Sequence, residues 1–113
     1  MNLIQEYLEL SKICASTDYS DKKSVSLHNK TTDRMYEIVK TIGFEQTQEI
    51  ITDFSKLLDI KDSKINILAA IHLLEHIPSD KKTEEKALKI IKNHSIGDTA
   101  EALGFRMWLD NYT

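Results

Sequence analysis

The sequence has 113 residues, of which 15 are lysine or arginine and 18 are aspartate or glutamate, so its net charge is −3. This length predicts one hydrophobic core, and hence a single domain over residues 1–113 that folds without disulfides or a metal. The charges are interleaved and form no basic block, which argues against a nucleic-acid binder, and the longest uncharged stretch, residues 65–74, is too short to span a membrane.

Apolar residues at helical spacing predict six helices. The first covers about residues 3–15 and carries the lone cysteine, Cys14, on its apolar stripe, where it is expected to act as a small hydrophobe. The second covers about residues 21–42 and is predicted to end at Gly43, in a left-handed cap. The third, about residues 45–58, has apolar residues on one side and charges on the other, which is typical of a surface helix.

The fourth predicted helix, about residues 62–77, is apolar nearly all round and is therefore expected at the centre of the fold. Pro78 prevents its continuation. The fifth has acidic residues in its first turn and lysines near its end, as the helix dipole favours. Gly97 separates it from the sixth, where Asp98 is predicted to be the cap. Gly104 lies inside the sixth helix at a cost of about 1 kcal/mol relative to alanine, which predicts close approach of another backbone there.

Short connections between the helices predict antiparallel hairpins that pair the first helix with the second, the third with the fourth and the fifth with the sixth. No stretch alternates apolar and polar residues as a strand would. Stacked hairpins of this kind bury their apolar stripes against their neighbours, as in an α-solenoid. We therefore predict an all-α fold with helices two, four and six on a concave inner side.

The segment over residues 57–78, LLDIKDSKINILAAIHLLEHIP, resembles the linker and second helix of a HEAT-type repeat. HEAT repeats commonly have arginine after the branched residue of that helix, whereas here Asn66 follows Ile65. The whole chain is similar to a small bacterial family described as domain of unknown function 2019, through the segments LHNKTTDRMYEIVKTIG and AAIHLLEHIP and an ending of the type GFRMWLDNY. The resemblance implies a six-helix, right-handed HEAT-like α-α superhelix.

The sharpest candidate for chemistry is His72-Leu73-Leu74-Glu75-His76, which matches the H-x-x-E-H pattern of inverted zinc peptidases. Residues four apart face the same way on a helix, so both imidazoles could reach one zinc ion, with Glu75 as the base. No spacing selects a third ligand from the residues available downstream, which are Glu84, Glu85, His94 and Glu101. The simpler interpretation is that His72 and His76 are two polar positions on the central helix. The alternative is that the protein is a zinc-dependent hydrolase that uses them.

Other catalytic arrangements are missing from the sequence, since it has no glycine-rich phosphate loop, no Gly-x-Ser-x-Gly elbow and no close Cys-His motif. We therefore predict no enzyme activity, no catalytic or metal-binding residue and no cofactor. Trp108 and Tyr112 lie four apart on the last helix, and both residue types are common in binding hot spots. They also pack well, and a role in the core is the favoured interpretation of Trp108.

The favoured function is a protein-binding module. Immunity proteins of bacterial toxin systems are similar in size and helical organisation, and an acidic chain would complement a basic nuclease toxin. The first ten residues lack the basic start of a signal peptide, so a cytoplasmic location is expected. A structural or regulatory helical subunit is a further alternative. The candidate partner-binding residues are Asp33, Tyr36, Asn66, His72, His76 and Asp110.

Overall fold

The computed structural model describes residues 2–45 and 47–112. Within these ranges the regular structure is entirely helical, with six α-helices and one short 3₁₀ turn, which confirms the predicted all-α fold. In chain order the elements are α1 (Leu3–Ala15), α2 (Lys22–Glu45), α3 (Gln48–Ser55), the 3₁₀ turn (Lys56–Asp59), α4 (Ser63–His76), α5 (Lys81–His94) and α6 (Ala100–Tyr112). Over the same described residues, no helix is long and apolar enough to cross a membrane.

Polar side chains that cap the first turn explain where several of the helices begin. Asp62 and Asp80 precede α4 and α5, and each accepts a hydrogen bond from a first-turn backbone amide, at 2.9 and 2.7 Å. The cap of α6 is Thr99 instead of the predicted Asp98, because the Thr99 hydroxyl accepts a hydrogen bond from the Ala102 amide at 3.0 Å. The predicted third helix is shorter than expected, and its residue Gln46 lies outside the described residues.

The two glycines inside helices differ from their predicted roles. α2 continues past Gly43 to Glu45, so the predicted cap is wrong. A Cβ atom on Gly43 would lie 2.1 Å from the carbonyl oxygen of His76, so glycine is required where α2 crosses the end of α4. At Gly104, by contrast, a Cβ would meet no atom within 4 Å, so the predicted close approach is also wrong. Gly97 adopts a φ of 112° between α5 and α6, a value that favours glycine.

α4 is the central helix, as predicted. It packs against α1, α2, α3, the 3₁₀ turn and α5, and its residues Ala69, Ala70 and Leu73 are completely buried. The two alanines present little volume, so neighbouring helices can approach α4 closely. Elements from α1 to α5 contribute to one continuous core, whose largest completely or almost completely buried residues are Tyr7, Met35, Ile38, Ile42, Phe54, Leu73 and Ile91.

The helices pack as hairpins that join α1 with α2, α3 and the 3₁₀ turn with α4, and α5 with α6. The first hairpin is also held by Arg34 of α2, which donates two hydrogen bonds to the carboxylate of Glu6 on α1, at 2.7 and 3.0 Å. This guanidinium lowers the pKa of Glu6 below its usual value. The hairpin arrangement agrees with the sequence, while the twist and handedness of the HEAT-like superhelix stay predictions.

α2, α4 and α6 run in roughly the same direction, because their side chains meet at two places in the same order along each helix. Their earlier parts meet around one cavity, which is lined by His28 of α2, Lys64 of α4 and Glu101 of α6. Their later parts meet again near the end of α4, where Tyr36 of α2 packs on His76 and Trp108 of α6 bonds to Glu75. We call the surface of α2, α4 and α6 that includes these two meeting places the inner face.

Candidate functional site

Five side chains form a continuous group on the inner face near the end of α4, which we call the aromatic–carboxylate cluster. Tyr36 packs edge-on against the ring of His76, with centroids 4.7 Å apart and planes at 87°. Glu75 accepts a hydrogen bond from Nε1 of Trp108 at 2.9 Å. Trp108 in turn stacks on Tyr112, with centroids 5.0 Å apart and planes at 15°. The adjacent residues Glu75 and His76 therefore link α2 to α6 through α4.

The cluster is open to solvent. Tyr36 and Tyr112 are 41% and 40% exposed, and the side chain of Glu75 is 39% exposed. The ammonium group of Lys40 lies 4.5 Å from the centroid of the Tyr36 ring, in a cation–π contact. Large aromatic side chains are thus held in fixed positions by neighbours while part of their surface remains available for contact.

His76 is largely enclosed, with 18% of its side chain exposed. Its Nε2 atom is buried and, among the described residues, has no hydrogen-bond partner. The Oε2 atom of Glu75 is 3.8 Å away, which is too long for a hydrogen bond. The ring of His76 therefore acts here as a packing surface for Tyr36.

His72 faces a different helix. Its Nδ1 atom is 2.5 Å from the hydroxyl of Tyr7 on α1, a residue that is completely buried and also packs edge-on against Phe54. Burial lowers the pKa of His72 to about 4, so the imidazole is neutral at pH 7. Burial also raises the pKa of Tyr7, so the phenol keeps its proton and can donate it to Nδ1. The pair therefore satisfies two polar groups between α1 and α4.

The three polar residues of the His72-to-His76 motif contact three different helices. His72 bonds to Tyr7 of α1, His76 packs on Tyr36 of α2, and Glu75 bonds to Trp108 of α6. Within residues 2–45 and 47–112, no three or more histidine, cysteine, aspartate or glutamate side chains are grouped so that they could hold a metal ion. The geometry thus gives no support to the zinc-dependent alternative.

Three other predicted partner-binding residues are not members of the aromatic–carboxylate cluster, and these are Asp33, Asn66 and Asp110. Asp33 is exposed on α2 and Asp110 is exposed on α6. Asn66 is half-buried and donates a hydrogen bond to the carbonyl of Ile60 at 3.1 Å, so its amide group binds the loop before α4. Its Oδ1 atom is buried and has no hydrogen-bond partner in the described part of the chain.

Of the six predicted partner-binding residues, the structure brings Tyr36 and His76 into direct contact. Sequence reasoning considered Glu75 only as a catalytic base and favoured a core role for Trp108, which is half-buried at the edge of the core. The spacing of Trp108 and Tyr112 did indicate a possible contact surface. No sequence signal connects either residue with Glu75, because that bond joins α4 to α6.

A cavity of about 330 Å³ lies at the other meeting place of α2, α4 and α6, where the end of α1 and the loop after it also line it. Ile67, Leu68 and Phe105 supply its apolar lining, and this volume is at the low end of the range for ligand pockets. His28, which also lines the cavity, is hydrogen-bonded through Nδ1 to the hydroxyl of Thr17 at 2.9 Å. The cavity therefore offers mainly apolar contact.

Cys14 also lines this cavity and packs against the core, as expected for a small hydrophobe. Burial raises the pKa of its thiol above the usual value. The group is therefore a protonated thiol at neutral pH and not a reactive thiolate.

Comparisons with known proteins return no relative for this chain. No protein-family model matches it, and searches of curated proteins and of solved structures find no match either. The resemblance to the domain of unknown function 2019 family stays a prediction. A function must therefore be inferred from the inner face itself.

Proposed function

We propose that this chain is a non-catalytic protein-binding module that contacts its partner through the inner face. The observation that carries the proposal is the aromatic–carboxylate cluster, where Tyr36, Trp108 and Tyr112 are fixed by neighbours but keep exposed surface. Tyrosine and tryptophan are enriched in binding hot spots, because they bury a large area with little loss of side-chain freedom. Aromatic residues that only filled the core would have a smaller exposed fraction.

The dimensions of the inner face suit a protein partner. The 14 residues of α4 give it a length of about 21 Å. Neighbouring helices pack about 8–10 Å apart, so three helices with their side chains make a surface roughly 30 Å wide. A face of this size is comparable with the ~800 Å² that each partner buries in a standard protein–protein interface. The apolar cavity and the aromatic–carboxylate cluster supply contacts at its two ends.

The partner that we propose is a bacterial toxin domain, which would make this chain a cytoplasmic immunity protein. Support comes from the net charge of −3 of the whole sequence. A nuclease toxin is basic because its substrate is polyanionic, and complementary charge speeds the association of two proteins. The small all-helical form is also typical of immunity proteins.

Co-expression tests this proposal. A toxin encoded immediately upstream of this chain should be neutralised by the chain and should co-purify with it. Replacing Tyr36 and Trp108 together by alanine should weaken the complex at least about a hundredfold, since hot-spot residues each contribute about 2 kcal/mol or more. The matched control is Ile13→Ala, which removes a 37% exposed apolar side chain from α1, outside the inner face.

Two results would contradict the proposal at different points. If the neighbouring gene encodes a toxin and this chain gives no protection, the immunity function is wrong. If the toxin binds equally well to the Tyr36 and Trp108 double variant, another surface makes the contact and the inner face has been assigned incorrectly.

A further inference from the structure

One carboxylate oxygen of Glu75 accepts no hydrogen bond within the described residues. Its Oε1 atom accepts the hydrogen bond from Trp108, which fixes the carboxylate on the inner face. Its Oε2 atom lies 3.8 Å from Nε2 of His76, beyond hydrogen-bond distance. An ionised carboxylate has about four acceptor positions, so Oε2 can still accept hydrogen bonds from outside the molecule.

Glu75 is one of the carboxylates that have no lysine or arginine partner in the described residues. In the described residues, no lysine or arginine lies within 4.0 Å of it, and its one ion-pair neighbour is His76. Several other carboxylates do have a lysine or arginine partner, and these are Glu6, Glu9, Glu37, Asp53 and Asp59. Glu75 is thus a positioned negative charge whose fixed partner is the neutral indole of Trp108.

Aromatic rings are connected to this carboxylate through two neighbours. Tyr36 packs on the ring of His76, the residue after Glu75, and the ammonium of Lys40 lies 4.5 Å from the centroid of the Tyr36 ring, which shows that this ring can contact a cation. Trp108, which donates to Glu75, forms a parallel stack with Tyr112, and Tyr112 is 40% exposed. A carboxylate beside aromatic faces suits a planar cation, which can stack and donate hydrogen bonds at the same time.

We propose that Glu75 is the binding site for an arginine side chain of the partner protein. The guanidinium donates to Oε2 of Glu75 and stacks on the exposed aromatic surface of the aromatic–carboxylate cluster. Arginine fits better than lysine, because a guanidinium is planar, carries several donors in fixed directions and is less strongly hydrated than an ammonium. This inference rests on the proposed protein-binding function and specifies the chemistry of its anchor.

Trp108 makes the site directly observable. It is the only tryptophan in the sequence, so intrinsic fluorescence reports on a residue hydrogen-bonded to Glu75. The full-length chain would be titrated with the capped peptide Gly-Arg-Gly-Arg-Gly at up to about 10 mM, a range that covers a weak single-residue contact. Two control peptides replace both arginines. Citrulline has a similar shape but no charge, and lysine has the charge but no planar group.

The arginine peptide should give a saturable change in Trp108 fluorescence, and the citrulline peptide should bind about tenfold more weakly or not at all. The lysine peptide should fall between them. Glu75→Gln should lose the response to arginine, although glutamine can still accept the Trp108 hydrogen bond. Glu85→Gln is the matched control, because it removes one negative charge from an exposed position on α5.

Equal responses to arginine and citrulline, an unchanged response in Glu75→Gln, or no saturable response would each overturn the inference. The proposed function is judged separately, by toxin binding and protection. If the toxin binds Glu75→Gln and the unaltered chain equally well, the arginine site is wrong while the protein-binding function stands. If the arginine peptide binds at Glu75 but the toxin is not bound, the site stands and the immunity function fails.

Discussion

Alanine should destabilise the protein at Gly43 and stabilise it at Gly104, although both glycines lie within helices. At Gly43 the added Cβ would lie 2.1 Å from the carbonyl oxygen of His76. Real Cβ contacts are essentially never shorter than 3.0 Å, so α2 and the end of α4 would have to separate by about 0.9 Å. The obstructing atom belongs to the backbone and cannot move aside by a change of rotamer.

Two opposing effects set the size of the change at Gly43. Alanine improves helix propensity by about 0.5–1 kcal/mol. Overpacking a core costs typically 1–3 kcal/mol, and a shift of α2 disturbs the completely buried neighbours Val39 and Ile42, so the upper part of that range applies. We expect a net loss of about 2 kcal/mol. At Gly104 a Cβ meets open space, so only the propensity term remains and stability should rise by about 0.5–1 kcal/mol.

Urea denaturation followed by circular dichroism measures both variants, and their m-values show whether unfolding stays comparable. The two free energies of unfolding should differ by about 3 kcal/mol between variants that each add one methyl group to a helix. The reasoning is refuted if Gly43→Ala is as stable as the unaltered protein. It is also refuted if Gly104→Ala is destabilised by as much as Gly43→Ala, since the helical packing described above would then be wrong at one of these positions.

Three further predictions concern α4 and its neighbours. The pKa of His72 is lowered from 6.5 to about 4, so the unfolded chain binds the proton more readily than the folded one. The free energy of unfolding should therefore be highest above pH 6.5 and should decrease by about 3 kcal/mol in total as the pH falls towards 4. Urea unfolding at several pH values should show this loss, and a His72→Asn chain that keeps the same pH dependence would contradict it. Tyr7→Phe should cost about 1–3 kcal/mol, because the buried Nδ1 of His72 loses its donor, and an unchanged free energy of unfolding would mean that this hydrogen bond is not formed. Elemental analysis of purified protein should find no stoichiometric zinc, whereas one zinc per chain that is lost on His72→Ala would favour the hydrolase.

Local patterns in the sequence predicted much of the fold. Apolar residues at a period of 3.6 located the helices, because that period records which face of a helix is buried. The nearly uniform apolar composition of residues 62–77 identified the central helix, and α4 is indeed packed on several sides. Pro78 predicted its end correctly, because a proline acts on the residues immediately beside it.

The candidate site was predicted less completely. Tyr36 and His76 were selected as contact residues, and they do meet on the inner face. Glu75 was linked by its spacing to His72 and His76, yet its actual partner is Trp108, which is 33 residues away. Spacing within one helix shows which residues share a face, but it does not show which helix lies opposite that face.

The sequence by itself determined that this chain is helical, where its central helix lies and which residue types are available for contact. Tertiary structure decided the roles of Gly43 and Gly104, since the space around a Cβ depends on the helix that passes nearby. It also directed His72, Glu75 and His76, which occupy little more than one turn, towards α1, α6 and α2 respectively. Helix formation depends on neighbours along the chain, whereas contacts of this kind depend on the relative placement of helices that are distant in sequence.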